Sequence, residues 1–139
     1  KLVHDLGLEN YYVEAGGDIQ THGTNTEGKS WRIGIRNPFK HDEIVRVVEP
    51  RGRGIATSGA YERGQHIYDP HTGQPAGNEI ASITVIGPDI YEADRFATAA
   101  FAMGDKGIFF LEQMEGLDAY MIDNDGKETM TIGFAAFTV

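Results

Sequence analysis

An aspartate and a threonine four residues apart, Asp94 and Thr98, are the side chains whose types and spacing most directly suggest chemistry. They fall in a segment with helical periodicity, so they share one face, at the edge of its apolar stripe. A carboxylate and a hydroxyl are hard oxygen ligands of the kind that Mg2+ takes, while water and phosphate fill the rest of its shell. The alternative is structural: the hydroxyl bonds a helix carbonyl, and Asp94 pairs with Arg95 or Arg63.

A histidine just before a loop rich in proline and glycine, His66, is the second candidate. The loop at 67–75 carries turn-forming residues, which could hold an imidazole in a fixed geometry. An imidazole titrates near neutral pH and can accept a proton as a general base. The alternative is a loop histidine bonded to a carbonyl. The other four histidines are predicted to lie at the surface: His4, His22, His41 and His71.

Two glycine-containing segments form the third candidate. Ala15-Gly16-Gly17-Asp18 follows one predicted strand, and the segment 56–63, Ala-Thr-Ser-Gly-Ala-Tyr-Glu-Arg, extends another. Glycine beside serine or threonine lets main-chain N–H groups approach phosphate oxygens, and Arg63 could add a bidentate contact. The spacings match neither a dinucleotide fingerprint nor a P-loop, because no Gly-Lys-Ser/Thr follows. The alternative is that both segments are turns at strand ends.

The elements that must position these residues are short strands and a few helices. Alternation and β-prone composition predict strands at 10–14, 31–36, 44–49, 54–57, 81–86, 119–123 and 128–132. Asn124-Asp125-Gly126 predicts a hairpin between the last two. Helices segregated from a meander of strands indicate an α+β fold with a mostly antiparallel sheet, in a single domain spanning 1–139.

The helix that carries Asp94 has the clearest signals. Asp89 followed by Glu92 resembles a capping box, and Gly104 ends the segment. Its apolar face is predicted to comprise Ile90, Ala93, Ala97, Ala100 and Phe101. A second helix is expected at 106–114, and residues 1–7 read as the last turns of another that ends at Gly7. Large apolar residues expected to contribute to the core are Trp31, Phe101, Phe109, Phe110 and Phe134.

Composition excludes several classes of protein. The 139 residues are 40% hydrophobic and 24% charged, as in a globular domain, and no apolar run approaches the ~20 residues of a membrane helix. The net charge of −9 is a poor match for nucleic acid or an anionic membrane. The absence of cysteine excludes disulfides and thiolate chemistry. Residues 29–63 nevertheless carry eight of the twelve basic residues, which are either ordinary strand-surface charges or a patch for an anionic ligand.

Taken together and in this order, the segments resemble the C-terminal half of the ApbE family, the FAD:protein FMN transferases. The similarity runs from about Leu2 to about Gly126, and five blocks keep a compatible spacing. The matching blocks are 15–19 (Ala-Gly-Gly-Asp-Ile), 31–35 (Trp-Arg-Ile-Gly-Ile), 56–63, 66–75 and 93–104 (Ala-Asp-Arg-Phe-Ala-Thr-Ala-Ala-Phe-Ala-Met-Gly).

The resemblance implies a specific reaction and fold. Members of this family bind FAD and Mg2+, cleave the pyrophosphate, and join FMN through a phosphoester to a Thr or Ser of an acceptor protein, with release of AMP. It implies that Asp94 and Thr98 are metal ligands and that His66 is the catalytic histidine. It implies an α+β fold in which helices pack on antiparallel sheets. Segments lining the flavin site are matched by Gly16, Gly17, Asp18, Thr57, Ser58, Gly59 and Thr72.

Two departures from the family leave other functions open. Glu14-Ala15 stands where many relatives have Asn before the Gly-Gly-Asp turn, and the family's N-terminal half, with part of the flavin pocket, lies outside this sequence. The alternatives are a flavin-binding module without turnover and an FAD pyrophosphatase that releases FMN and AMP. We expect the missing half or a second copy to cover an exposed apolar face of this chain. The resemblance also implies action at the bacterial cell envelope, on the periplasmic side.

Overall fold

A six-stranded antiparallel sheet is the main feature of the computed structural model, which describes residues 2–59, 68, 70–74 and 80–139. The strands are β1 (Tyr11–Ala15), β2 (Asp18–His22), β3 (Ile33–Arg36), β4 (Ile44–Val48), β5 (Gly54–Gly59), β6 (Ile80–Gly87), β7 (Asp118–Asp123) and β8 (Glu128–Met130). The large sheet has the order β1-β2-β5-β6-β7-β8, and β3 and β4 form a separate two-stranded sheet. The helices are α1 (Leu2–Asp5), α2 (Ile90–Ala102) and α3 (Gly107–Glu112), with 3-10 helices at Gly104–Lys106 and Ile132–Phe137. The predicted α+β class is confirmed, and no helix in the described part is long and apolar enough to cross a membrane.

The first two strands form a tight hairpin. Gly16 and Gly17 have φ angles of +64° and +95°, and Ala15 pairs with Asp18 on either side of them. Two consecutive positive φ angles match the right-handed twist of the strands, and glycine adopts them without steric cost. The sequence predicted β1 and the turn, but β2 was missed because Asp-Ile-Gln-Thr-His contains a single aliphatic side chain.

Helix α2 begins and packs as its sequence predicts. The Asp89 side chain accepts a hydrogen bond of 2.9 Å from the N–H of Glu92, which caps the first turn. The capping box is formed on one side only, because the Glu92 carboxylate is paired with Arg95. The small side chains Ala93, Ala97 and Ala100 are buried and bring the helix close to the sheet.

The sheet carries a core on each face. On one face, residues of α2 and α3 pack against Ala56, Ile83 and Val85. On the other, Ile55, Ile86, Tyr120 and Phe134 pack against the inner side of the two-stranded sheet. The chain's last residues join the two sheets, because Glu49 N–H donates to Phe137 O and Val139 N–H to Val47 O. Both faces of the central strands are therefore closed to solvent.

Two expectations at the C-terminal end were wrong. Phe109 is 65% exposed because the face of α3 that meets the core carries Ile108 and Leu111. The predicted strand at 128–132 ends at Met130, and the chain then turns into the 3-10 helix, which buries Phe134 and Phe137. The remaining predicted strands and both helices of the 89–116 region are confirmed within a few residues at their ends, and the predicted helix end at Gly7 is confirmed by its φ of +75°.

Candidate functional site

Helix α2 presents Asp94 and Thr98 on its exposed side, one turn apart. Among the described residues, no hydrogen bond or ion pair holds either side chain. The alternative pairing of Asp94 with Arg95 is not formed, because an Arg95 Nη donates to a Glu92 carboxylate oxygen at 2.7 Å. Arg63, the other alternative partner, lies outside the described residues. Two oxygen ligands thus remain open to a partner that the described chain does not supply.

A depression of about 310 Å3 lies beside Asp94, between the start of α2 and the β1–β2 hairpin. It is lined by Val13, Ala15, Asp18, Gln20, Ile90, Tyr91 and Asp94. Asp18 and Asp94 therefore belong to the same surface feature, although they are 76 positions apart in the sequence. No cluster of three or more His, Cys, Asp or Glu able to hold a metal occurs among the described residues.

Gln20 is a residue of this region that the sequence did not suggest. Its amide oxygen accepts from the N–H of Ile90 at 2.8 Å, and its amide nitrogen donates to Gly52 O at 3.1 Å. It therefore satisfies one of the free N–H groups of the first turn of α2 and ties that turn to β2. Recognition of β2 as a strand would have placed Gln20 on the same face as Asp18.

A second, larger groove lies on the opposite face of the same hairpin. Its volume is about 420 Å3. Its lining comprises Tyr12, Glu14, Gly17, Ile19, Trp31, Arg32, Ile33, Gly34, Ile35, Arg36, Ile55 and Thr57. The Thr57 hydroxyl shares a hydrogen bond of 2.8 Å with the Thr84 hydroxyl, which fixes its orientation.

Three of the seven residues predicted to line a flavin site line one of these two features. Gly17 and Thr57 line the larger groove, whereas Asp18 lines the depression beside Asp94. Ser58 alternates with Thr57 along β5 and so points to the α2 side of the sheet. Gly16 lies at the hairpin tip, and Gly59 is the last residue of β5.

Two predicted site residues follow β5 in the sequence. Thr72 is exposed, and its hydroxyl accepts from the N–H of Gln74 at 3.3 Å. His66 lies outside the described residues, so its predicted catalytic role stays a prediction. Of the histidines predicted at the surface, His4, His41 and His71 are exposed.

Shifted pKa values occur where the small and large sheets meet. An Arg46 Nη lies 2.7 Å from a Glu128 carboxylate oxygen, and this hydrogen bond lowers the pKa of Glu128 and raises that of Arg46. The Arg46 guanidinium also lies 4.9 Å from the centre of the Tyr120 ring. Burial, with a contribution from the nearby Glu128 carboxylate, raises the pKa of Tyr120 to about 12. The Tyr120 hydroxyl is buried and makes no hydrogen bond of good geometry within the described part.

The fold and the site define an α+β protein in which one helix sets an exposed carboxylate and a hydroxyl beside a glycine-tipped hairpin of an antiparallel sheet. The chain belongs to the ApbE family, whose model matches residues 1–121. Its relatives include the FAD:protein FMN transferase of Klebsiella pneumoniae, with 35% identity over all of this chain and 43% of the relative. That of Vibrio cholerae is 36% identical over 94% of this chain and 43% of the relative.

Solved structures that resemble this chain also belong to ApbE proteins. The flavin transferase ApbE from Vibrio cholerae superposes with a TM-score of 0.85 and 36% identity, over 98% of this chain and 47% of that one. The ApbE protein of Thermotoga maritima superposes with a TM-score of 0.82 and 31% identity, over 94% of this chain and 45% of that one. The chain therefore spans less than half the length of the relatives it matches.

Proposed function

We propose that this chain forms part of a Mg2+-dependent FAD:protein FMN transferase, which attaches FMN through a phosphoester to a Thr or Ser of an acceptor protein and releases AMP. The observation that carries the proposal is the exposed placement of Asp94 and Thr98 one turn apart on α2, with no side-chain partner among the described residues. The names of the relatives, FAD:protein FMN transferase and flavin transferase ApbE, support it.

The donor set on α2 fits a hard divalent cation. Asp94 offers a carboxylate oxygen and Thr98 a hydroxyl oxygen, and no described side chain competes for either. We infer that these two residues hold Mg2+, which when bound would neutralise pyrophosphate charge and act as a Lewis acid. Of the two structural alternatives for Asp94, pairing with Arg95 is not formed, because Arg95 contacts Glu92.

His66 is proposed as the general base. It would take the proton from the acceptor hydroxyl as the new O–P bond forms to the FMN phosphorus. The P–O bond to the AMP phosphate breaks in the same displacement, and AMP leaves with the bridging oxygen. Atoms and charge balance without any oxidant or reductant.

The flavin is proposed to contact the segments that meet at the hairpin tip. Gly16, Gly17 and Asp18 form that tip, and main-chain N–H groups there can approach a phosphate because the glycines carry no side chain. The flavin site is further proposed to include Thr57, Ser58, Gly59 and Thr72. The two faces of the hairpin then hold different parts of the reactants.

The remaining parts of the site are proposed to come from an N-terminal half. The depression beside Asp94 is open, and Val13 and Tyr91 at its rim are exposed apolar side chains. Such surfaces in a soluble protein usually meet another surface. We therefore expect the isolated 139-residue chain to bind FAD weakly and to transfer nothing. The same family membership leads us to propose action on the periplasmic side of a bacterial envelope, which fractionation of a producing cell would test.

The test compares the full-length protein with the isolated chain. Each is mixed with FAD, Mg2+ and a threonine-containing acceptor, and AMP release and flavinylated acceptor are measured by chromatography and mass spectrometry. The proposal expects both products from the full-length protein and neither from the isolated chain. AMP without flavinylated acceptor would favour the pyrophosphatase, and FAD binding without AMP would favour a binding module. Transfer by the isolated chain at the full rate would contradict the half-site argument.

A further inference from the structure

The larger groove follows the free edge of β3. Every residue from Trp31 to Arg36 lines it, although successive side chains of a strand point to opposite faces. The surface that β3 offers to the groove is therefore its main-chain edge. Within the described part, β3 is paired with β4 alone, so the N–H and C=O groups of its other edge lack a strand partner. Such an edge is a template for one more strand.

The other walls of the groove leave room for that strand. Side chains of Tyr12, Glu14 and Ile19 form the opposite wall, and Ile55 and Thr57 contribute from the neighbouring strand β5. A strand rises about 3.3 Å per residue, so the four residues of β3 offer an edge about 13 Å long. An extended segment of similar length can pair with β3 along its main chain. Its alternate side chains can then contact Ile19 and Ile55 on the other walls.

One end of the groove is held by an aromatic pair. The rings of Tyr12 and Trp31 meet edge to face with their centres 5.2 Å apart. The Trp31 indole N–H donates to His22 O at 2.9 Å, which ties the residues before β3 to β2. These contacts connect the two walls at this end. The groove is therefore preformed.

Positive charge is concentrated on the β3 side. Arg32 uses Nε to contact Glu49 at 3.1 Å, and Arg36 uses one Nη to donate to His41 O at 3.2 Å. A guanidinium has five N–H donors, so both arginines keep donors for a further carboxylate. Glu14 lies on the opposite wall, which directs an acidic side chain towards β3 and away from the hairpin. The chain as a whole has a net charge of −9 and repels acidic ligands, whereas the two arginines on this wall attract them.

We propose that this groove receives an extended, acidic segment of the acceptor protein, which adds to β3 as a strand. The inference rests on the proposed flavin transfer, because that reaction needs a protein acceptor. The hairpin tip bounds both surface features, since Gly17 lines the groove while Ala15 and Asp18 line the depression beside Asp94. A segment that leaves the groove across the tip carries its hydroxyl to the side of the sheet where Asp94 lies.

The experiment measures which acceptors the full-length protein selects. A peptide library with a fixed central threonine and randomised flanking residues is incubated with FAD and Mg2+, and the flavinylated members are sequenced. We expect enrichment of Asp and Glu on one side of the threonine. The charge-reversed variant Arg32→Glu/Arg36→Glu should lose that enrichment, gain Lys and Arg, and modify the original peptides at least tenfold more slowly. The control Lys106→Glu makes the same kind of charge change on an exposed residue of a 3-10 helix and should keep the original selection.

Each outcome bears on one of the two proposals. FAD affinity, followed by flavin fluorescence, should be equal in all variants, because Arg32 and Arg36 lie on the β3 wall of the groove, whereas Gly17 and Thr57, the proposed flavin contacts, lie on the hairpin and β5 walls. Flavinylation without acidic enrichment overturns the groove assignment and leaves flavin transfer standing. Absence of any flavinylated peptide overturns flavin transfer and the groove assignment with it. A dimer of the protein without acceptor that the charge reversal dissociates would assign the edge of β3 to a second copy instead.

Discussion

The amide oxygen of Gln20 on β2 accepts a hydrogen bond of 2.8 Å from the N–H of Ile90, the first residue of α2. Through this bond the hairpin that bears Asp18 fixes the start of the helix that bears Asp94. The same amide donates to Gly52 O, so one side chain joins three segments of the chain. The start of the helix that carries Asp94, a proposed metal ligand, is therefore held by the side chain of Gln20, which is not among the proposed ligands.

Gln20→Leu should weaken this arrangement without removing a metal ligand. It leaves the Ile90 N–H and the Gly52 carbonyl without their partner, which should lower the free energy of unfolding by about 1–3 kcal/mol. In the full-length protein, the Mg2+ concentration for half-maximal AMP release should rise several-fold. The control Gln113→Leu alters an exposed glutamine after α3 and should change neither. An unchanged Mg2+ dependence in a destabilised Gln20→Leu protein would show that the bond supports only the fold.

Asp94→Ala in the full-length protein should abolish Mg2+-dependent AMP release and leave the circular dichroism spectrum unchanged. The reason is that Asp94 is exposed and has no described partner, so its loss removes a ligand but no structural contact. The control Asp42→Ala removes another exposed carboxylate, at the turn before β4. Undiminished activity of Asp94→Ala at limiting Mg2+ would rule out the ligand assignment.

His66→Ala should slow flavin transfer by about 10²–10⁴ with a much smaller change in FAD affinity, because a general base acts on the rate of the chemical step. The measurement is the transfer rate at saturating FAD, together with FAD affinity from fluorescence titration. His71→Ala, five positions further along the sequence, serves as the control. If His66→Ala loses FAD affinity and turns over normally at saturation, the residue binds FAD and does not act as the base.

Gly54→Ala should destabilise the fold, because Gly54 lies where β5 packs against the start of α2. A Cβ at Gly54 would contact the main chain of Asp89 and Ile90 at the start of the helix, and neither can move without displacing α2. We expect a lower melting temperature and weaker Mg2+ dependence of activity. Gly34→Ala is the matched control, because the atoms nearest to its Cβ would belong to the half-exposed side chain of Ile44 and not to main chain. Equal melting temperatures for the two variants would contradict this account.

Tyr120→Phe should leave the protein as stable at neutral pH or slightly more so, because it removes a buried hydroxyl that lacks a good hydrogen bond. At alkaline pH the stabilities of the wild type and of Tyr120→Phe should respond differently to a rise in pH. The folded pKa of Tyr120 is raised to about 12, so between pH ~10 and ~12 unfolding releases a proton and wild-type stability falls as pH rises, by on the order of 2 kcal/mol. Denaturant titrations across that range should show a smaller fall for Tyr120→Phe. Tyr91→Phe, at an exposed tyrosine, should behave as wild type.

The sequence determined the local elements for reasons that act over a few residues. Asp89 caps α2 through an N–H three positions away, and the alanines at helical spacing must lie on one face of it. Asn124-Asp125-Gly126 requires a turn between two β-prone runs, and the turn at Gly16-Gly17 closes in the same way. The spacing of Asp94 and Thr98 follows from helical geometry alone, which is why this half of the candidate site could be predicted.

The tertiary structure decided what these elements meet. β2 is a strand because β1 and β5 pair with it on both sides, although its own residues are weakly β-prone. Phe109 is exposed because α3 packs with Ile108 and Leu111 towards the core. A helix of six residues is too short for its apolar periodicity to show which face is buried. Asp18 and Gln20 lie beside Asp94, and β3 has one edge without a strand partner in the described part, only because pairing over long sequence separations builds the sheets. Such pairing depends on how much apolar surface is buried on both faces of the sheet. That quantity cannot be read from a short stretch of sequence.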